Sequence, residues 1–337
     1  ESTNPIVPEL AENLARVTRH RLEAFHGKKD ADAVKVAWPH LSDSDRFIRF
    51  AARTAIEHQP VEEWADKALS ESDPKKQIEA ILALTRVTGV CPQHRDDSTP
   101  PVDTDMRDKL LQALIKIDLT NLDQASQLTY QRTLQIILSR FGCPDEAIIK
   151  QLVSKIDPLF PSGSAEMNWL LCETLAWLES PTIAQKAIAM IQSVPTQEEQ
   201  MQYARSIRLL RNGWTDQLKE EYFSWFLKAA NYRGGASFAK LVEFIRDDAV
   251  ASLSEAQKES LAGILAKKPE KKSALENLGE VFKGRPSKDW ELDQLSQAAQ
   301  SGMQGRDFVN GRTMFAAAGC YAFHRFQKQG GVTAPDR

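Results

Sequence analysis

The sequence predicts an all-α protein, a solenoid of antiparallel helix pairs that ends in a short segment of a different kind. Three observations carry the prediction. Apolar residues recur at three- and four-residue intervals from Pro8 to about Ala299, which is the spacing of one helical face. Runs of alternating β-branched residues, the mark of strands, are nearly absent. Helix-start signals return again and again along the chain, each followed by a helical stretch, a brief break and a second helical stretch.

The stretch from Phe47 to Ile56 shows the pattern. Phe47, Ala51 and Ala55 share a face with Ile48 and Ala52, while Arg49 and Arg53 point elsewhere, so an amphipathic helix is expected. Ser42, followed three residues on by Asp45, reads as its capping-box-like start, and Pro60 as its stop. Further pairs are expected to begin near Asp73, Asn121, Ser164 and Thr196, at steps of 31, 48, 43 and 32 residues. These irregular steps bracket the period of HEAT and armadillo repeats. Breaks are expected at Pro60, Pro74, Gly142-Cys143-Pro144, Ser180-Pro181, Pro195 and Asn212-Gly213, where a donor is missing or a non-helical conformation is favoured. Such short breaks imply antiparallel neighbours. The segment from Cys91 to Thr104, rich in proline and aspartate, reads as the one long polar loop of this array.

A helix pair of this kind buries its apolar face only against the next pair, so stacking supplies the core and leaves an extended concave surface. Trp169, Trp177, Trp214, Phe223, Trp225 and Phe226 are expected to pack between pairs, with an aromatic binding face as the alternative. Asn168 and Asn212 read as cap or turn residues. In the junction Asn231 to Phe238, Gly234 and Gly235 are expected to allow a left-handed turn. Two charged, proline-bearing connectors follow, Lys267 to Lys272 and Lys283 to Lys288. The second sets the expected domain boundary, with a helical repeat domain over 1–285 and a separate segment over 286–337.

Composition narrows the function. Hydrophobic content of 42% and charged content of 26% match an average soluble protein. A net charge of −3, from 43 basic and 46 acidic residues, supplies no field that would draw the chain to nucleic acid or an anionic membrane. No run approaches the roughly 20 apolar residues of a membrane span. The opening Glu1-Ser2-Thr3-Asn4-Pro5 has neither an initiating Met nor a charged-then-apolar leader and reads as a processed or excised start. Cys91, Cys143, Cys172 and Cys320 lack paired metal-ligand spacing, which argues against zinc and leaves Cys91 with Cys143 as the one candidate disulfide. Six histidines are scattered, and the motifs of serine hydrolases, P-loop proteins, dinucleotide enzymes and zinc proteases are missing. Glu62-Glu63 and Glu198-Glu199 read as solvated helix faces rather than as an acid and base.

One constellation carries chemistry. In Gly311-Arg312-Thr313-Met314-Phe315-Ala316-Ala317-Ala318-Gly319-Cys320-Tyr321-Ala322-Phe323-His324, Cys320 stands four residues before His324. This resembles the first helix and haem-attachment loop of a c-type cytochrome, where C-x-x-C-H gives two thioethers and a proximal imidazole. Gly330-Gly331-Val332-Thr333-Ala334-Pro335-Asp336 is similar to the stretch that follows that motif. With the helical repeats, the Tyr232-Arg233-Gly234-Gly235 junction, Asp289-Trp290 and Gly311-Arg312-x-x-Phe315, the whole resembles the C-terminal half of multidomain haem-binding proteins of planctomycetes and verrucomicrobia.

The resemblance implies haem c held by a single thioether to Cys320, with His324 as the iron ligand. It implies electron transfer within a larger periplasmic or otherwise exported redox protein, whose neighbouring domains include a β-propeller dehydrogenase. Catalysis by this chain alone is not expected. Phe323 stands where the second attachment cysteine belongs, and Arg337 precedes the helices and distal ligand that close such a haem pocket. The competing expectation is therefore a pure protein–protein interaction module, with a decayed haem motif and no cofactor.

Overall fold

Helix after helix starts on a short side-chain oxygen. Asp45 accepts from the backbone N–H of Phe47 at 2.7 Å, Asp73 from Lys75 at 3.0 Å, Asp103 from Met106 at 2.9 Å and Asp145 from Ile148 at 2.8 Å. Ser164, Thr196 and Thr215 do the same for Met167, Glu199 and Leu218. Each such cap satisfies a backbone donor that the helix leaves unpaired and is worth about 1 kcal/mol.

The computed structural model describes residues 9–232, 234, 237–269, 289, 291–302, 305–320, 323–326 and 329–330. The chain is all-α apart from one small ribbon among these residues, and it divides into two compact units, 1–158 and 159–337. The boundary expected near residue 285 lies outside the described residues.

The first unit holds α1 (Glu9–Glu23), α2 (Ala33–Ala37), α3 (Arg46–Glu57), α4 (Ala65–Ser70), α5 (Pro74–Thr88), α6 (Thr104–Lys116), α7 (Gln124–Phe141) and α8 (Glu146–Ile156). α1 packs on α3, α3 on α5 and α5 on α7, while α4, α6 and α8 form a second row that closes over them through α4–α5, α5–α6 and α6–α7. A helix that touches the next and the next but one builds the two-row ladder of a solenoid.

Between the rows lie Ile48, Ala52 and Ile56 of α3, Ile78, Ile81 and Leu84 of α5, Leu110 and Leu114 of α6, and Leu134 and Ile137 of α7. Across α3 and α5, Glu79 is 7% exposed and is shared by Arg53 at 2.9 Å and Arg49 at 3.5 Å. Glu57 continues the chain of charges to Arg53 at 3.3 Å and Arg86 at 2.8 Å.

The second unit repeats the ladder. It holds α9 (Ala165–Trp177), α10 (Ile183–Ser193), α11 (Gln197–Ile207), α12 (Asp216–Ala229), α13 (Phe238–Ala251), α14 (Glu255–Ser260) and α15 (Ala262–Leu265), followed by α16 (Leu292–Ser301) and α17 (Phe308–Ala317). α9 packs on α11 and α11 on α13, with α10 on α12 as the opposing row. Two short strands, β1 (Arg325–Phe326) and β2 (Gln329–Gly330), pair antiparallel and lie against α11. Phe223, Trp225 and Phe226 are buried around Tyr222, whose ring meets both phenylalanines edge-on. Half of the aromatic group is thus core, Trp169 and Trp214 are half-buried, and Trp177 is 46% exposed.

Several expectations change. Ser42 closes a 3-10 turn, Trp38–Ser42, and Asp45 caps α3. Asp123, not Asn121, caps α7, while the break expected at Pro74 does fall between α4 and α5, with Pro74 in the first turn of α5. Phe47 is 58% exposed, because the buried stripe of α3 runs through Ile48, Ala51, Ala52, Ala55 and Ile56. At about 100° per residue, Phe47 points roughly a quarter-turn off that stripe. Gly234 does not take a left-handed conformation; a Cβ there would meet the Phe238 ring, and Gly235 lies outside the described residues. Left-handed glycines do end α7 at Gly142 and turn the chain at Gly213. All four cysteines are free thiols, so Cys91 and Cys143 form no disulfide; Cys172 is buried and Cys143 exposed. Among the described residues no helix is long and apolar enough to cross a membrane.

Candidate functional site

The segment expected to carry chemistry begins at Asp307, which caps α17 by accepting from Asn310 N–H at 2.9 Å. The helix closes when Ala318 N–H reaches Met314 O and left-handed Gly319 donates to Ala316 O, each at 2.9 Å. Cys320 therefore starts a new turn. Its carbonyl accepts from Phe323 N–H at 3.2 Å and His324 N–H at 2.8 Å, and β1 follows at once. Cys320 and His324 are both half-buried within this single turn, while Phe323 is 52% exposed. A thiol and an imidazole in one tight turn fit the attachment half of a c-type haem site. Among the described residues, however, no third histidine, cysteine, aspartate or glutamate gathers into a metal-holding group. Tyr321, Ala322 and the stretch after Gly330 lie outside the described residues.

The helix beneath the ribbon holds a polar cluster that the sequence does not announce. Thr196 Oγ1 donates to Glu199 Oε2 at 2.6 Å, and Arg312 Nη2 of α17 lies 3.9 Å from the same oxygen. Glu199 is buried and Glu198 half-buried, against the expectation of a solvated acidic pair. The capping spacing Thr196-x-x-Glu199 was the available signal, because it turns the third residue back towards the cap.

Gln200, also buried, donates to Val194 O at 2.9 Å. Its Oε1 accepts from Trp225 Nε1 at 3.1 Å and from the Tyr232 hydroxyl. These bonds join α11 to α12 and to the junction after it. Asn168 plays the expected turn role, accepting from Ser162 N–H at 2.6 Å and donating to Ser162 O at 3.0 Å.

Among the described residues, four buried polar atoms of this region find no bonding partner: Trp169 Nε1, Glu198 Oε2, Tyr203 Oη and Arg312 Nε. Burial lifts the Glu198 carboxyl above its usual range, and the neighbouring Glu199 charge adds to the rise. Burial likewise raises the Tyr203 phenol, again with Glu199 contributing, and pushes the Tyr232 phenol up to about 12. The satisfied members close on one another, which makes the cluster a joint between α11, α12 and α17.

The first unit offers a surface instead. Leu14 and Val17 of α1 are 68% and 58% exposed, and Phe47 and Phe50 of α3 are 58% and 56% exposed, on two helices that pack together. Arg46 lies 5.1 Å from the Phe47 ring centre and Arg53 5.3 Å from that of Phe50. Exposed Arg16 adds charge beside Val17.

Comparison of the chain with family models, with curated proteins and with solved structures found no match.

Proposed function

We propose that this chain is a HEAT-type docking scaffold, whose exposed apolar face on α1 and α3 receives a helix of another protein, apolar on one side and acidic at its edges. The observation that supports this reading is the exposure of Leu14, Val17, Phe47 and Phe50 on two adjoining helices. Single exposed apolar residues are ordinary, but grouped ones mark interaction surfaces. Burying them returns about 25 cal/mol per Å2, and the cations Arg16 and Arg46 select an acidic rim on the partner. A photo-crosslinking residue at position 47, in the source cells, is expected to give one discrete protein adduct. Leu14→Ser with Val17→Ser is expected to abolish that adduct without lowering the melting temperature. An adduct that survives the double substitution, no adduct, or an adduct only with a second copy of the chain overturns this reading.

The Cys320–His324 turn supports a second reading, a c-type haem segment within a larger, periplasmic, dehydrogenase-linked redox protein. Haem would supply one-electron transfer there. Cys320 would hold it by a single thioether and His324 would ligate the iron, the turn fixing the two at one end of the ribbon. Expression beside cytochrome maturation machinery, followed by a visible spectrum, tests this. Cys320→Ala is expected to leave haem extractable, and His324→Ala to shift the Soret band with the covalent link intact. A chain that stays colourless, both as it is and as Phe323→Cys, leaves the docking scaffold as the whole function.

A further inference from the structure

In the second unit, the connection from α11 to α12 closes a cavity that belongs to neither proposal above. α11 ends at Ile207, and Arg208, Leu210 and Arg211 lead into the turn at Gly213, whose φ is 77°. The turn is held from the far side by Glu179, which accepts the backbone N–H groups of Arg211 at 3.1 Å and Asn212 at 2.9 Å. α12 then starts at Asp216, with Lys219 in its first turn directed inward, and the end of α13 with Ser254 and Gln257 completes the wall. The cleft is open on one side and has a volume of about 190 Å3. This is below the roughly 300–1,000 Å3 of sites for drug-sized molecules, so it suits a single ring with a head group.

The wall carries three cations, Arg208, Arg211 and Lys219, and no carboxylate. They differ in what balances them. Arg208 is neutralised from behind by Asp248 at 2.8 Å and also donates to Arg205 O at 2.8 Å. Arg211 is exposed at the mouth. Lys219 is only 9% exposed, and among the described residues its ammonium has neither an ion pair nor a hydrogen bond. Burial depresses its pKa, and only the charge of Asp216, one turn back, pulls the other way. The stem of Lys219 is thus buried while its ammonium opens on the cleft without a counter-charge, which a bound anion would supply.

The rest of the wall is apolar or already committed. Trp214 Nε1 donates to Leu210 O at 2.9 Å and Ser252 Oγ to Ala249 O at 2.7 Å. The Trp214 ring packs on Tyr222 with centroids 5.4 Å apart. What remains unsatisfied is positive charge beside flat apolar surface.

We propose that this cavity binds a small organic anion, a carboxylate or phosphate monoester on a single flat apolar body, with Lys219 as its counter-ion. The head group sits between Lys219 and Arg211, and the body lies against Trp214. Calorimetric titration of the full chain with phenyl phosphate and with benzoate tests it, the two arms separating phosphate from carboxylate; inorganic phosphate and benzyl alcohol report the head group and the body alone. One-to-one saturation by at least one of the two aryl anions is expected, at least tenfold tighter than by either control. Lys219→Met is expected to weaken it tenfold or more while melting near the parent temperature, because the side-chain length and its buried stem are kept and only the charge facing the cleft is gone.

If that variant does not fold, reductive 13C-methylation of the parent gives a Lys219 resonance that must shift in step with the titration. Absence of saturation with both aryl anions, equal binding by Lys219→Met, or a Lys219 resonance that stays fixed overturns the proposal.

Discussion

Glu79 and Glu198 are carboxylates of the same chemistry buried on opposite terms. Glu79 lies between Arg49 and Arg53, so its charge is matched on both sides. Glu79→Gln is expected to destabilise the first unit by about 3 kcal/mol, since Arg53 then stays largely buried with half its compensation; a denaturant titration reads this, and a change below about 1 kcal/mol counts against the clamp.

Glu198 has no such match. Its folded pKa lies above the ordinary value of 4.5, so the folded state holds the proton more tightly, and the group costs stability as pH rises from 4.5 through the folded pKa. Glu198→Gln is therefore expected to melt with the parent below pH 4.5 and above it at neutral pH. Equal melting temperatures across that range would remove burial as the cause. The burial of Glu79 was not legible in the sequence, because it depends on Arg49 and Arg53 of another helix.

At the level of the helix, local signals were legible where the choice was local. Asp73, Ser164 and Thr196 each stand immediately before their helix, and each caps it. Ser42 and Asn121 failed because they share a turn with rival oxygens, Ser42-Asp43-Ser44-Asp45 and Thr120-Asn121-Leu122-Asp123. Which oxygen caps is decided by where the buried stripe enters the core, and that is tertiary information.

The Asn212-Gly213 break was also legible, but not what enforces it. A Cβ on Gly213 would lie 2.6 Å from Pro181 O, besides demanding a left-handed conformation. Gly213→Ala is expected to cost about 2 kcal/mol or more, above the 1–2 kcal/mol of the conformation alone. A thermal melt within a degree of the parent would show that the turn gives way instead. The Cys320–His324 spacing is a further case: it was legible, while the left-handed Gly319 that separates Cys320 from α17 is a property of the backbone that Cys-x-x-x-His does not encode.

For the molecule as a whole, the helical class followed from periodicity because a 3.6-residue repeat is imposed by every buried face at once. The division at residue 158 does leave a mark, Pro158, Pro161, Ser162, Gly163 and Ser164 falling together beside it, but that mark looks like one more break in the array because the same ladder of packed helices stands on each side. In such a ladder each element leans mainly on its neighbours, so opening is expected to occur in pieces rather than all at once.

The cysteines offer a clock for this. Cys172 is wholly buried in α9 and burial pushes its thiol up to about 12, whereas Cys143 is exposed in the other unit. Under native conditions an alkylating reagent is expected to mark Cys143 within its ordinary reaction time. It should reach Cys172 only in the moments when the helices around α9 stand apart, at a rate that peptide mass spectrometry reads at each site separately. The protein thus carries its own stopwatch for the breathing of one half, and the Cys172 rate divided by that of a free thiol is the fraction of time that half spends open.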